Sequence, residues 1–212
     1  EYAVTMRYEE TNPPALSRKT AGATAGPDGA WTVTLAPAVA SFQETWIIAK
    51  SGGQTLAVEN VLIGEVWVCA GQSNMGWGNF NRKTRVAGSS DFPGMRYVAW
   101  HDSWYKPLDD VRNNIRWQEC SPDAAKGFSA IPYLYGMFLH RYLKVPVGII
   151  NTAVGGTTAE VWAAPESLRA IPELNAVNRA LGKDLGAFYN GTIAPLSKLS
   201  VRGFLFYQGE NN

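Results

Sequence analysis

The chain has 212 residues and a net charge of +1, and this composition excludes several classes of protein. Its 19 basic and 18 acidic residues form no block of like charge, so nothing indicates nucleic acid or an anionic membrane surface as a partner. No stretch reaches the roughly eighteen consecutive apolar residues that a membrane-spanning helix needs. The two cysteines and two histidines show no zinc-binding spacing, and no metal or cofactor is expected.

Residues 1–62 are predicted to be part of a small β domain that resembles a β-sandwich. Apolar and polar residues alternate over residues 31–35, which is typical of a strand with one buried face. The preceding Pro27-Asp28-Gly29 is a turn sequence, because proline presets φ and glycine accepts positive φ. Ser51-Gly52-Gly53 lies between two further apolar segments and predicts a hairpin.

Residues 63–212 show a different pattern, in which three apolar runs each end in a polar, glycine-containing turn. Near-continuous apolar runs are typical of strands buried on both faces of a parallel sheet. Cys69 lies inside the first run and is predicted to be a buried, unreactive thiol. The runs and their turns are residues 65–70 with 71–75, residues 147–150 with 151–157, and residues 204–207 with 208–210.

Helical patterns separate these runs. Ser129 is predicted to cap a helix whose apolar residues fall on one face, namely Tyr133, Leu134, Met137 and Phe138. A second helix is predicted to begin within residues 159–162, and residues 77–128 are predicted to form long loops. Alternating strands and helices indicate an open α/β sheet, which binds ligands at the carboxyl ends of its strands. All three polar turns are expected at that edge.

Ser73 is the first candidate functional residue. It follows a buried strand and precedes a predicted helix, so its hydroxyl is expected at the sheet edge. Met75 occupies the place of the second glycine in a G-x-S-x-G elbow, so that motif is not present. The residue types leave two interpretations equally open, a nucleophile and a helix N-cap.

Other polar turn residues could assist such a nucleophile. Backbone N–H groups at Gly155 and Gly156 could stabilise an oxyanion, although a plain turn is the simpler interpretation. Gln208 carries an amide that could donate to the same oxyanion, and Glu210 could orient a neighbour or pair with a cation. Of the histidines, His140 lies in the predicted helix and indicates a structural role. His101 is a conceivable base, but no motif supports it.

Aromatic residues are abundant, with eight Trp, nine Tyr and eight Phe. Most of them are expected to fill the core. The alternative is stacking against sugars, because flat rings suit the apolar faces of pyranoses.

Three blocks of the sequence resemble the sialate O-acetylesterase family of the SGNH (GDSL-like) hydrolases, to which acetylxylan esterases are related. Residues 64–75, GEVWVCAGQSNM, are similar to the family's nucleophile block. Residues 145–157, together with Trp162, are similar to its second block. Residues 189–196 and 207–210 resemble its third block. The resemblance extends from about residue 60 to residue 212.

The resemblance implies an SGNH-type three-layer α/β/α domain and a serine esterase that removes O-acetyl groups from sialic acid or another glycan. Ser73 would be the nucleophile, and an acyl-enzyme would form. The Ser73 N–H, a glycine of the Gly155-Gly156 pair and Gln208 would form the oxyanion hole. Gln72, Asn74 and Glu210 would support the site. A different class remains open, namely an inactive carbohydrate-binding protein with an SGNH-like pocket.

The sequence departs from the family pattern in two places. The family's base is a histidine in an Asp-x-x-His-Pro-like segment, and no such segment is found among residues 1–212. We therefore expect the catalytic His and Asp on a remaining C-terminal segment of the same protein that packs beside Ser73. Because the sequence also begins at Glu1 inside a predicted strand, we expect the chain to be truncated at both ends. Gly76 stands where relatives usually carry an acidic residue. The expected compartment is secreted, periplasmic or lysosomal.

Overall fold

The computed structural model describes residues 3–10, 19–78, 91–112, 115–173 and 185–212. The chain forms two compact units, Glu1–Gly64 and Glu65–Asn212.

The first unit contains a four-stranded antiparallel sheet. Its strands are β1 (Ala3–Glu10), β2 (Lys19–Thr24), β3 (Ser41–Ser51) and β4 (Gln54–Ile63), in the order β2-β1-β3-β4. The predicted hairpin at Ser51-Gly52-Gly53 joins β3 to β4. Both of its glycines have positive φ, 53° at Gly52 and 83° at Gly53, as a tight hairpin turn requires.

The strand predicted over residues 31–35 is wrong, because no strand forms between β2 and β3. The turn before it is present: Gly29 has φ 80°, and its N–H donates to the Gly26 carbonyl at 2.9 Å. Val33 and Leu35 are still half-buried while Thr34 is exposed. The alternation thus predicts which side chains are buried. It does not predict whether a neighbouring strand is present to form the hydrogen bonds that a strand requires.

The second unit is built on a mostly parallel five-stranded sheet, which confirms the predicted α/β fold class. Its strands are β5 (Glu65–Gly71), β6 (Phe92–Ala99), β7 (Gln118–Cys120), β8 (Val147–Asn151) and β9 (Gly203–Tyr207). Their order is β7-β6-β8-β5-β9, and only β7 is antiparallel to its neighbour. The three apolar runs predicted to be strands are β5, β8 and β9.

The prediction of loops over residues 77–128 is wrong for β6 and β7. Pro93, Gly94 and Arg96 interrupt the apolar pattern of β6, yet this strand pairs with β8 in the interior of the sheet. Burial of Met95, Tyr97 and Val98 on its two faces stabilises it there. Residues 79–90 and 113–114 of that predicted loop region lie outside the described residues.

The regular helices in the described part of the second unit are α1 (Ser73–Gly76), α2 (Ala130–Leu143) and α3 (Pro165–Arg169). Ser129 holds the N-cap position of α2 as predicted, but its side chain makes no capping bond. Phe138 is 64% exposed, so its predicted place on the buried face is wrong. Gly136 lies on that face instead, where an added Cβ would come within 2.7 Å of the Ile149 and Met95 side chains. Close contact with the sheet, rather than apolarity alone, selects the buried face.

Other helical segments that the structure describes in this unit are short and irregular. The predicted helix start at Ala159–Trp162 is a single 3-10 turn, and α3 begins only at Pro165. A π-helical turn (Tyr189–Ile193) continues directly into a 3-10 turn (Ala194–Lys198).

Alternate residues of β5 point into two separate cores, one on each face of the sheet. Cys69 packs with residues of α2, whereas Val68 packs with Leu196 of the 3-10 turn on the other face. Cys69 is fully buried and unbridged, as predicted, and burial raises the pKa of its thiol to about 12. Among the described residues, helical segments therefore cover both faces of the sheet and leave its carboxyl edge free to form a site.

Candidate active site

The turn from β5 into α1 places Ser73 at the carboxyl edge of the sheet. Gly71 has φ 136°, and a Cβ added there would lie only 2.0 Å from the Tyr207 carbonyl oxygen, so the turn requires glycine. The Gln72 N–H donates to the same oxygen at 3.1 Å. The N-cap position of α1 is Gln72, not Ser73, so the N-cap interpretation of Ser73 is wrong. Ser73 is left exposed at the first helical position.

The glycine loop after β8 lies against this turn. The Val154 N–H donates to the Gly71 carbonyl at 2.9 Å and holds the loop in place. A Cβ added to Gly155 would lie 3.6 Å from the Ser73 Cβ, so the main chain of Gly155 directly adjoins the serine. Gly156 has φ 75°, and its carbonyl accepts a bond from the Asn211 amide at 2.8 Å. Of the two predicted oxyanion glycines, the structure brings Gly155 to Ser73.

A cleft of about 350 Å³ opens over Ser73. Five of its lining residues are small, and the sixth is a tryptophan: Ser73, Gly76, Gly78, Ala153, Gly155 and Trp77. Gly76 fits closely here, because an added Cβ would lie 3.2 Å from the Ala153 Cβ. The cleft therefore offers the serine to a small group and presents one large aromatic surface beside it.

Gln208 is hydrogen-bonded to the glycine loop. Its side-chain Nε2 donates to the Thr157 hydroxyl at 3.2 Å, and its Oε1 accepts the Gly209 N–H at 2.9 Å. The Thr157 hydroxyl in turn donates to the Val154 carbonyl at 2.8 Å. One of the two Nε2 hydrogens of Gln208 is thus used within the loop, which leaves the other as a donor.

The three predicted supporting residues meet at one carboxylate. Gln72 Nε2 and Asn74 Nδ2 each donate to a different oxygen of Glu210. These bonds favour the ionised form, so they lower the pKa of the Glu210 carboxyl below its usual range, with the Gln72 bond contributing most. Glu210 therefore ties the loop after β9 to the turn that contains Ser73, and no contact with a cation is needed to account for it.

A buried polar network behind Ser73 was not found from the sequence. Asn151, at the end of β8, donates from Nδ2 to the Tyr97 hydroxyl and to the Ser129 hydroxyl, each at 2.8 Å. The Ser129 hydroxyl donates to the Gly76 carbonyl at 3.0 Å, at the end of α1. Desolvation by burial raises the pKa of Tyr97, which keeps its hydroxyl neutral. The polar Asn151 at the end of an apolar strand could have indicated such a network. Its partners could not be identified, because Tyr97 lies in a predicted loop and Ser129 at the start of a predicted helix.

Neither histidine is in hydrogen-bond contact with Ser73 in the described part of the chain. His140 makes a 2.9 Å contact from Nδ1 to the Val145 carbonyl oxygen, and its ring packs edge-on against Phe92, which is a structural role. His101 is exposed, with its ring centroid 6.5 Å from that of Phe188.

The structure also bears on metal and membrane binding. Within the described ranges, no three His, Cys, Asp or Glu side chains are grouped so as to hold a metal ion. Over the same residues, no helix has both the length and the apolar character needed to cross a lipid bilayer.

The second unit is thus a mostly parallel α/β domain with an accessible serine in a cleft at the carboxyl edge of its sheet. Residues 63–212 match the family described as carbohydrate esterase, sialic acid-specific acetylesterase, and the chain belongs to this family.

Individual relatives agree with this assignment. The chain is 28% identical over 207 residues to the sialate O-acetylesterases of Pongo abelii and Homo sapiens, with 82% of this chain matched in each case. The match spans only 40% of the length of these relatives. The crystal structure of a carbohydrate acetylesterase from Xanthomonas citri matches all of this chain, and 46% of its own, with a TM-score of 0.82 at 28% identity.

Proposed function

We propose that the protein is a serine esterase that hydrolyses O-acetyl esters of sialic acid or another glycan. The observation that carries this proposal is the exposed Ser73 in a cleft, directly beside the main chain of Gly155. Family membership and relatives named for acetylester hydrolysis support the choice of an acetyl ester and of a sugar as the alcohol.

The proposed reaction proceeds through an acyl-enzyme. Ser73 Oγ attacks the acetyl carbonyl carbon while a base takes its proton. The tetrahedral intermediate collapses, the C–O bond to the sugar breaks, and the sugar oxygen receives that proton. Water then attacks the acetylated Ser73, again with its proton passing to the base. Acetate leaves, and Ser73 regains its hydroxyl hydrogen.

The oxyanion of both tetrahedral intermediates is proposed to be stabilised by donors around Ser73. The backbone N–H groups of Ser73 and of the Gly155-Gly156 pair are the main candidates, since Gly155 adjoins the serine. Gln208 supplies the unused hydrogen of its amide. Donors already fixed by the loop hydrogen bonds need no reorganisation when negative charge develops, which is the basis of oxyanion stabilisation.

The base is proposed to be a histidine, oriented by an aspartate, on a part of the same protein outside these 212 residues. In the described structure, His140 is engaged with the Val145 carbonyl and Glu210 with two amides, so neither is free to serve Ser73. In the full-length protein, the double variant His101→Gln/His140→Gln is expected to retain acetyl-ester hydrolysis. Loss of turnover by a folded His101→Gln protein would instead assign the base to His101.

The nucleophile is tested by Ser73→Ala in the full-length protein. Removing the attacking oxygen should abolish hydrolysis of an acetylated sugar, since triad knockouts lower kcat by roughly a millionfold. Ser197→Ala, at an exposed serine away from the cleft, is the matched control. Intact mass spectrometry should show a transient gain of one acetyl group on the wild type and none on Ser73→Ala.

The rival function is an inactive carbohydrate-binding protein. It predicts that the wild-type protein binds the acetylated sugar without releasing acetate, a result that would reject the esterase proposal. The secreted, periplasmic or lysosomal compartment stays a prediction.

A further inference from the structure

Trp77 is the one large side chain that lines the cleft over Ser73 in the described structure, and 68% of its surface is exposed. We infer that the Trp77 indole is a stacking surface for the sugar ring of the acetylated substrate, an inference that rests on the proposed esterase function. It identifies the residue that recognises the alcohol part of the ester.

The backbone around Trp77 is held in place on both sides. The Trp77 carbonyl accepts the Ala130 N–H at 3.1 Å, and Gly78 forms an antiparallel bridge with Ser129. On the other side, the Gly76 carbonyl accepts the Ser129 hydroxyl at 3.0 Å. Three consecutive residues are therefore tied to the start of α2. The exposed indole projects from a fixed backbone, so little backbone entropy needs to be lost when a ligand binds against it.

Trp77 contributes little to the core of the described chain. A large apolar ring stabilises a fold in proportion to the area it removes from water, and Trp77 leaves about two-thirds of its surface in solvent. Trp162, by comparison, is 6% exposed and contributes to the interior. Trp77 instead lies at the surface. Its position in the lining of the cleft, beside Ser73, is typical of aromatic side chains that contact ligands.

The other lining residues determine which part of the substrate Trp77 would contact. Gly155 and Ala153 provide only small surfaces beside Ser73, which suits an acetyl group at the point of attack. They offer no large surface to hold the alcohol. A pyranose has apolar C–H faces and a polar rim, so it can lie flat on an indole while its hydroxyls remain hydrated.

The test compares two acetyl esters, an O-acetylated methyl glycoside and ethyl acetate, with the full-length protein. Both are attacked by the same serine, but only the glycoside carries a ring. Trp77→Ala is expected to lower kcat/KM for the glycoside about three- to tenfold more than for ethyl acetate, mainly through KM. Trp77→Phe keeps an aromatic face and should recover most of that selectivity.

Tyr142→Ala is the matched control. Tyr142 is 85% exposed and lies near the C-terminal end of α2, the helix whose start is tied to Trp77. Tyr142→Ala should leave kcat/KM unchanged for both esters. Thermal unfolding by circular dichroism verifies that each variant is folded, and Kd for the glycoside in a Ser73→Ala background measures binding without turnover.

The outcomes separate the inference from the proposed function. Wild-type hydrolysis of both esters, with a selective loss for the glycoside in Trp77→Ala, supports the inference. If the wild type hydrolyses both esters and Trp77→Ala lowers kcat/KM equally for both, or for neither, the inference is overturned. The proposed esterase function is unaffected by that result. A wild-type protein that hydrolyses neither ester overturns the function itself.

Discussion

The Thr157 hydroxyl accepts a hydrogen bond from the Gln208 side-chain amide at 3.2 Å, and this bond joins the loop after β8 to the loop after β9. The same hydroxyl accepts the Trp162 indole N–H at 3.0 Å and donates to the Val154 carbonyl at 2.8 Å. The last of these bonds closes the loop that contains Gly155. One hydroxyl thus holds two of the proposed oxyanion donors in position.

Thr157→Val is expected to lower kcat about 10- to 100-fold with little change in KM. Small displacements of the oxyanion donors reduce stabilisation of the transition state more than they reduce binding of the substrate. The change also leaves the buried Trp162 N–H without its acceptor, which should lower the free energy of unfolding by about 1–3 kcal/mol. Steady-state kinetics and urea unfolding measure the two effects. Thr157→Ser keeps the hydroxyl and should behave almost as wild type; an equal loss in Thr157→Ser would remove the hydroxyl from this role.

Gln208→Ala is expected to lower kcat about 10²–10³-fold, which is the usual effect of removing one oxyanion donor. Combined with Thr157→Val, its effect should be clearly less than additive, since the two side chains are bonded to each other. A double-mutant cycle on kcat measures this. If Gln208→Ala raises KM alone, the residue binds substrate and does not stabilise the oxyanion.

Gly71→Ala is expected to destabilise the second unit by about 3 kcal/mol or more, because it combines an unfavourable φ with a clash against the Tyr207 carbonyl. Gly209→Ala is the matched control, since Gly209 has a similar φ of 125° but no atom within 4 Å of an added Cβ. The difference between the two unfolding free energies isolates the clash. Equal losses would show that the turn can move away from β9.

The ionisation of the Glu210 carboxyl is expected to make the stability of the second unit depend on pH. Its pKa is lowered from the ordinary value of 4.5 by the Gln72 and Asn74 bonds, so those bonds stabilise the folded state above that value. The contribution is lost as the pH falls through the lowered pKa. Urea unfolding between about pH 6 and pH 2 should show a weaker pH dependence for Glu210→Gln than for wild type. Glu59→Gln, at an exposed carboxyl of the first unit, should leave unfolding of the second unit unchanged.

The sequence was sufficient for features that depend on neighbouring residues. Near-continuous apolar runs predicted β5, β8 and β9, because a strand buried on both faces cannot carry polar residues in its middle. Parallel strands bring their carboxyl ends to one edge, so the runs also predicted that Ser73 and Gly155 would come together. The resemblance to a family then favoured the nucleophile interpretation of Ser73 over a helix cap.

Only the tertiary structure decided which polar groups bond to each other. The sequence led us to expect Ser129 to cap its own helix, yet its hydroxyl bonds to the Gly76 carbonyl, 53 positions away. Gln208 was expected to contribute to the oxyanion hole, but its bond to the Thr157 hydroxyl was not expected. β6 was missed because the burial that stabilises it comes from β8 and α2, not from its own pattern. Local periodicity follows from the geometry of a single element, whereas these contacts depend on the register and order of strands distant in the chain, which no short stretch of sequence records.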